Sequence, residues 1–308
     1  MTTAKKFPVI LLLGVILAAC GQAEPTFDES AYEQEIADWR AARLEALLQP
    51  TGYLNQTGLF WLEDGNYSFG TDEDNDVVFP GDAPPVIGSF EVSEEGIRMR
   101  VESGVDVLFE GEPVDDIVMV SDVEPEPVIV TLGSLAWGAV ERDGNFAIRL
   151  RDFEHPFVKN FGPLSYYPID PALRVNATLE RYPEPRIANV GTVIEGLGYH
   201  PESPGVLVFE IDGQSYELEA YSVGERLFFV FGDATNRDDT YGAGRFVYAA
   251  APGEGGSTVL DFNKSYSPPC AFNDFSTCPV ASPRNRLPIR IEAGELYDPA
   301  LHFSAGVH

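Results

Sequence analysis

VLVFEIDGQSYELEAY, residues 206–221, decides the fold. Val206 and Val208 alternate with Leu207 and Phe209, and Tyr216, Leu218 and Ala220 resume the alternation after Asp212-Gly213. Side chains on a strand change face at every residue, and a two-residue Asp-Gly turn supplies the positive φ angles that a tight hairpin needs. The stretch therefore predicts two antiparallel strands. AVERDGNFAIRLRD, residues 139–152, repeats the design around Asp143-Gly144, and Asp64-Gly65 marks a third turn of this kind. Further strands are expected at 76–79, 97–101, 105–109, 128–132, 226–231, 246–250 and 258–262. Short strands at such spacing build sandwiches and barrels.

One helical segment precedes them. Ser30-Ala31-Tyr32-Glu33 has the spacing of a capping box, Tyr32, Ile36, Trp39, Arg43 and Leu47 follow a helical period, and Pro50 closes the run. The expected fold is all-β: two packed β-sandwich or barrel-like units preceded by one amphipathic helix. The expected divisions are a leader at 1–19, a lipidated cysteine and tether at 20–30, the helix at 31–50, an N-terminal β unit at 51–133, a C-terminal β unit at 134–297 and a tail at 298–308.

The leader sets the compartment. Lys5 and Lys6 stand before an apolar run from Val9 to Ala19, the layout of a secretory signal. The run is shorter than the roughly 20 apolar residues a spanning helix needs. It ends Leu17-Ala18-Ala19-Cys20-Gly21, which resembles a bacterial lipobox. That resemblance implies cleavage before Cys20, a lipid on its thiol as the membrane partner, and, with Gly21 rather than an aspartate following, the outer membrane of the cell envelope. After Cys20 only Cys270 and Cys278 remain. Two cysteines eight apart in an oxidising compartment are read as a disulfide. No histidine lies near them in sequence, so no metal is expected there.

The formal net charge of −29 argues against nucleic acid and other polyanions as partners. Asp72-Glu73-Asp74-Asn75-Asp76 opens like a calcium loop, but Val77 and Ala83 stand where an EF-hand needs glycine and glutamate. A solvated turn is expected instead. Signatures of serine hydrolases, zinc peptidases, phosphate loops and dinucleotide sites are missing, and no cofactor is expected.

Chemistry-bearing residues gather toward the C-terminus. Arg149 and Arg151 share one face of a strand, suited either to an anion or to pairing with the many acids. Asp233, Tyr241, Arg245, Asp261, Asn263 and Tyr266 fall in polar, glycine-rich stretches. One reading places these eight residues around a small polar ligand such as a saccharide or carboxylate. A second makes them a structural lock, with Arg245 paired to Asp261. A third uses Asp233, Asp261 and Glu295 as the acid and base of an envelope hydrolase.

TYGAGRFVY (240–248), LDFNKSYSPPCAFNDFSTCP (260–279) and NRLPIRIEAGE (285–295) closely resemble the bacterial domain-of-unknown-function family 1684. GLFWLEDGNYSFG (58–70), IRLRDFEHPF (148–157) and YYPID (166–170) resemble the same family in the same order. Where the family has Asn-Arg-Ala-Tyr-Asn-Pro-Pro, this chain has Asn263-Lys264-Ser265-Tyr266-Ser267-Pro268-Pro269, so Ser267 replaces an asparagine. The resemblance implies a folded unit and carries no activity with it.

Overall fold

The computed structural model of the protein describes Met1 and residues 27–253 and 255–304. The leader and Cys20 lie outside the described residues. The fold is mostly β, with a single long helix ahead of several sheets.

Helix α1 spans Glu29–Leu48. Its cap is Asp28, whose carboxylate accepts the Ala31 N–H at 3.1 Å; the expected Ser30 cap lies inside the helix. The inward stripe is Tyr32, Ile36 and Leu47, with Trp39, Arg40 and Arg43 half-buried between them. Two arginines face inward, so the stripe is apolar at its ends and cationic in the middle.

The N-terminal unit is a two-sheet sandwich. One sheet runs in the order Gln56–Leu62, Asn145–Asp152, Leu135–Arg142, Ile129–Leu132, Leu108–Phe109, Glu112–Pro113. The other runs Val77–Val78, Gly65–Gly70, Gly88–Ser93, Gly96–Val101, Asp116–Met119. Their facing sides share a core in which Phe69 stacks on Phe90 at 4.1 Å and meets Trp137 edge-on at 5.8 Å. Alternating burial along Gly88–Ser93 and Gly96–Val101 leaves the opposite face of that sheet wet.

The expected boundary at Ser134 is corrected. It falls inside the hairpin that joins Ile129–Leu132 to Leu135–Arg142, and the strands up to Asp152 pair with Gln56–Leu62. The N-terminal unit therefore runs about twenty residues further, and Arg149 and Arg151 belong to it. Asp64-Gly65 is also corrected: the strands on either side enter different sheets. The other two Asp-Gly pairs are two-residue turns, with φ of 51° and 73° at Asp143 and Gly144 and 53° and 75° at Asp212 and Gly213. The acidic run at 72–76 is a turn in which Asp76 accepts from the Ser68 backbone and hydroxyl, both at 2.8 Å.

The C-terminal unit is a six-stranded antiparallel sheet in the order Arg245–Ala250, Arg226–Phe231, Gln214–Val223, Glu202–Ile211, Arg174–Ile187, Ser257–Asp261. Its two edge strands approach each other, so the sheet is nearly closed into a barrel. Leu207, Leu218, Phe229, Phe231 and Phe262 fill it. Downstream of the barrel, residues 262–304 contain only short 3-10 turns and irregular chain. That irregular chain meets both α1 and the N-terminal unit.

Candidate functional site

Arg245, Asp233, Asp261, Asn263 and Glu295 are each between 0% and 8% exposed, and every one of them is engaged by groups of the protein itself. Arg245 does not pair with Asp261. Its guanidinium stands 3.3 Å from Asp233 and donates to the carbonyls of Ile291, at 2.8 Å, and Ala293. Asp233 also accepts the Ile291 N–H at 2.7 Å and the Thr235 hydroxyl at 2.8 Å. Gly244, at φ 116°, permits the approach, because a Cβ there would stand 2.7 Å from the Phe231 carbonyl oxygen. Burial pushes the Arg245 pKa down despite the Asp233 charge. The pair is a lock between the barrel and the segment 291–293.

Asp261 and Asn263 face α1. The Tyr32 hydroxyl donates to Asp261 at 2.9 Å and accepts from the Asn263 amide at 2.9 Å. Burial and the neighbouring Asp261 charge raise the Tyr32 pKa. Farther along the helix, Arg43 stands 3.2 Å from Glu295, donates to the Ser267 carbonyl at 3.0 Å and lies over the Tyr266 ring at 4.4 Å. The Ser267 N–H completes Glu295 at 3.2 Å. Ser267 thus contributes its backbone, so the loss of an asparagine side chain at this position leaves these contacts intact. Gly294, at φ 81°, turns the chain into Glu295; a Cβ would lie 2.2 Å from the Ser265 hydroxyl oxygen. In place of the expected polar pocket wall, the structure has two packed networks, the Arg245–Asp233 lock and a seat for α1. Asp233, Asp261 and Glu295, the acid and base of the hydrolase reading, are sealed in these networks with no open face toward a substrate.

An open cleft lies elsewhere, at the seam between the two β units. Cys270 and Cys278 are at disulfide distance, with Cα atoms 6.1 Å apart. The loop they close reaches the N-terminal unit along its length. Asn273 donates to the Tyr53 carbonyl at 2.9 Å, Ser276 to the Gln56 side chain at 2.6 Å, Arg149 to the Phe275 carbonyl at 3.3 Å, and Arg142 to the Thr277 hydroxyl at 3.1 Å. Beside this loop opens a cleft of about 240 Å³, lined by Tyr53, Arg149, Tyr199, Phe228, Phe246 and Thr277 among others.

Arg149 is the unusual group there. Its side chain is 14% exposed, and the nearest carboxylate oxygen, on Asp122, is 3.7 Å away. Asp122 is already held by both terminal nitrogens of Arg142, at 2.7 and 2.8 Å. Among the described residues the Nη1 and Nη2 groups of Arg149 form no hydrogen bond. Burial, and then the like charge of Arg142, push its pKa down to about 10. Arg151, two residues on, is satisfied by the Gly52 carbonyl and by Asn55 at 2.7 Å. Of the eight ligand-site residues expected from sequence, Arg149 alone lines this cleft. Tyr241 packs on Tyr297, and Tyr266 meets the Phe246 ring edge-on at 5.9 Å. Tyr53, Arg142, Tyr199, Phe228 and Phe246 were not expected as site residues, because the seam joins segments far apart in sequence. Among the described residues no group of three or more His, Cys, Asp or Glu stands close enough to hold a metal.

The sequence profile of the family described as "Protein of unknown function (DUF1684)" matches residues 159–296. Residues 159–296 belong to this family. The match includes Asp233, Arg245, Asp261 and Glu295 and leaves out residues 58–70 and 148–157. The family segment therefore builds the aromatic side of the cleft, while Tyr53, Arg142 and Arg149 come from outside it. A solution NMR structure of an uncharacterized protein from Haloarcula marismortui is 30% identical, covers 45% of this chain and 78% of its own, and has a TM-score of 0.38. No curated protein matches the chain.

Two outcomes follow for the buried networks. Arg245→Ala leaves Asp233 buried without its counter-charge and lowers stability by about 3–5 kcal/mol in urea unfolding. Burial outweighs the Arg43 and Ser267 contacts and raises the Glu295 carboxyl above the ordinary glutamate range. A carboxyl raised in this way binds its proton more tightly folded than unfolded. Its contribution is complete below the ordinary glutamate pKa and is lost as pH rises through the raised value. The stability of the wild type relative to Glu295→Gln should fall across that window in unfolding curves at stepped pH. A difference that stays flat with pH would contradict the burial account.

Proposed function

We propose that this is a lipid-anchored envelope protein that binds a small anion in the cleft between its two β units. The observation that supports the reading is Arg149. A guanidinium removed from most of its water, with both terminal nitrogens unbonded among the described residues and its nearest carboxylate at 3.7 Å, is energetically costly, and an anion entering the cleft relieves that cost. Hydrogen bonds to a charged group contribute about 1.5–3 kcal/mol each, so one occupied guanidinium makes a measurable difference. At about 240 Å³ the cleft is smaller than the usual ~300–1,000 Å³ range of ligand sites, which favours a small molecule. The anchor reading rests on the leader, on Cys20 at the cleavage position and on the Cys270–Cys278 pair, which suits an oxidising compartment. Gly21 after the cysteine favours the outer membrane.

A second reading, a structural module without a ligand, is favoured by a different observation. Tyr32–Asp261 and Arg43–Glu295 are buried contacts that hold α1 on the family segment. Asp261, Asn263, Ser267 and Glu295 of the sequence signature are used in that seat, and their contacts need no ligand.

The two readings separate on one comparison. Native mass spectrometry of protein exported to a periplasm should show a small bound mass on the wild type that is lost in Arg149→Gln, with both proteins folded. An identical spectrum from the two would favour the structural module. In the same cells, labelled palmitate should enter the wild type and fail to enter Cys20→Ser; equal or absent labelling of both would remove the lipid anchor.

A further inference from the structure

We propose that the anion held at Arg149 is an aryl carboxylate, a flat apolar ring bearing one carboxylate group, rather than an inorganic anion or a short aliphatic acid. This inference rests on the cleft reading above and adds the class of ligand.

The cleft is polar at one end and aromatic along its walls. Phe228 and Phe246 meet edge-to-face at 4.9 Å, and each is less than a tenth exposed. Phe246 is backed by the Tyr266 ring at 5.9 Å, and Tyr199 is braced edge-on by Tyr221 at 6.3 Å. Rings fixed by their neighbours present preformed flat and edge surfaces, which suit another aromatic ring and lose little freedom on binding. Tyr53, 41% exposed, stands at the rim, where it can close over a bound ring. Besides the two arginines and Thr277, the polar groups of the lining are the Tyr53 and Tyr199 hydroxyls, the Gln56 amide and Ser276. Ser276 is already committed to Gln56 at 2.6 Å, and Cys278 is held in the disulfide.

The polar end suits a carboxylate. Arg149 has two terminal nitrogens without hydrogen bonds among the described residues. Thr277 accepts the Arg142 Nε–H at 3.1 Å and keeps its own hydroxyl proton to donate. A planar guanidinium matches the planar carboxylate. Arg142 is taken by Asp122 through two hydrogen bonds, so the site presents about one net positive charge. That charge works against a chain of net charge −29, whose field is damped only beyond about 8 Å at physiological salt. A small hydrophilic anion has one guanidinium to set against that field. An anion with an apolar ring adds burial against four aromatic side chains, a contribution that does not depend on charge.

The probes are benzoate, acetate, inorganic phosphate and benzyl alcohol, titrated into the purified protein by calorimetry at constant ionic strength. The expected result is benzoate binding at least about ten-fold tighter than acetate, phosphate or benzyl alcohol. Arg149→Gln should weaken benzoate by about ten-fold or more, and Tyr53→Ala, a change at the rim, by several-fold. Acetate or phosphate binding as tightly as benzoate, and lost in Arg149→Gln, would overturn the aryl class while leaving the anion site standing. Benzyl alcohol binding as tightly as benzoate, or benzoate binding unchanged in Arg149→Gln, would also overturn the proposal. If none of the anions binds the wild type, the cleft reading itself fails.

Discussion

The loop closed by Cys270 and Cys278 is the constraint on which the cleft depends. It is short and irregular, yet it bonds to Tyr53, Gln56, Arg142 and Arg149 of the N-terminal unit. A cross-link over so few residues contributes ~2–3 kcal/mol by restricting the unfolded chain. Its larger effect here is geometric. It fixes the carbonyl of Phe275 and the hydroxyl of Thr277 against two arginines, and so sets the width of the gap between the units. Without that wedge the sandwich and the near-barrel would share few polar contacts, and Arg149 would be free to swing toward Asp122.

The second seam is of a different kind. Helix α1 does not dock by an apolar stripe alone. Arg43 and Tyr32 carry its polar contacts into a buried face of Glu295, Asp261 and Asn263. Desolvating such groups offsets much of what their attraction returns, so the seat adds specificity of register more than stability. An arginine sliding by one helical turn would leave Glu295 buried without a partner. This accounts for Asp261, Asn263 and Glu295 of the family segment: they are acceptors and donors for one helix, hidden from solvent.

The parts of the fold set by neighbouring residues were legible in the sequence. Alternation around Asp143-Gly144 and Asp212-Gly213 gave two hairpins, because strand period and turn chemistry are local properties. Asp64-Gly65 carried the same dipeptide, yet the strands beside it diverge into two sheets, since strand pairing is a tertiary choice. Ser134 was expected as a boundary, but it sits in a hairpin turn within one sheet. The site was harder to see for the same reason. Arg245 was expected to pair with Asp261, but its acid is Asp233. Asp261 lies on a neighbouring edge strand, but its carboxylate turns to Tyr32, 229 residues away. Arg149 was singled out as a strand residue, whereas the aromatic rings opposite it come from the other unit and left no local signal.

The most direct test of the central claim is a crystal structure of the protein with 4-bromobenzoate, read from the anomalous signal of bromine. The account predicts one bromine site among Phe228, Phe246, Tyr199 and Tyr53, with the carboxylate within hydrogen-bond distance of the Arg149 guanidinium and the Thr277 hydroxyl. A bromine site elsewhere on the molecule, or a cleft left unoccupied at saturating ligand, would contradict it.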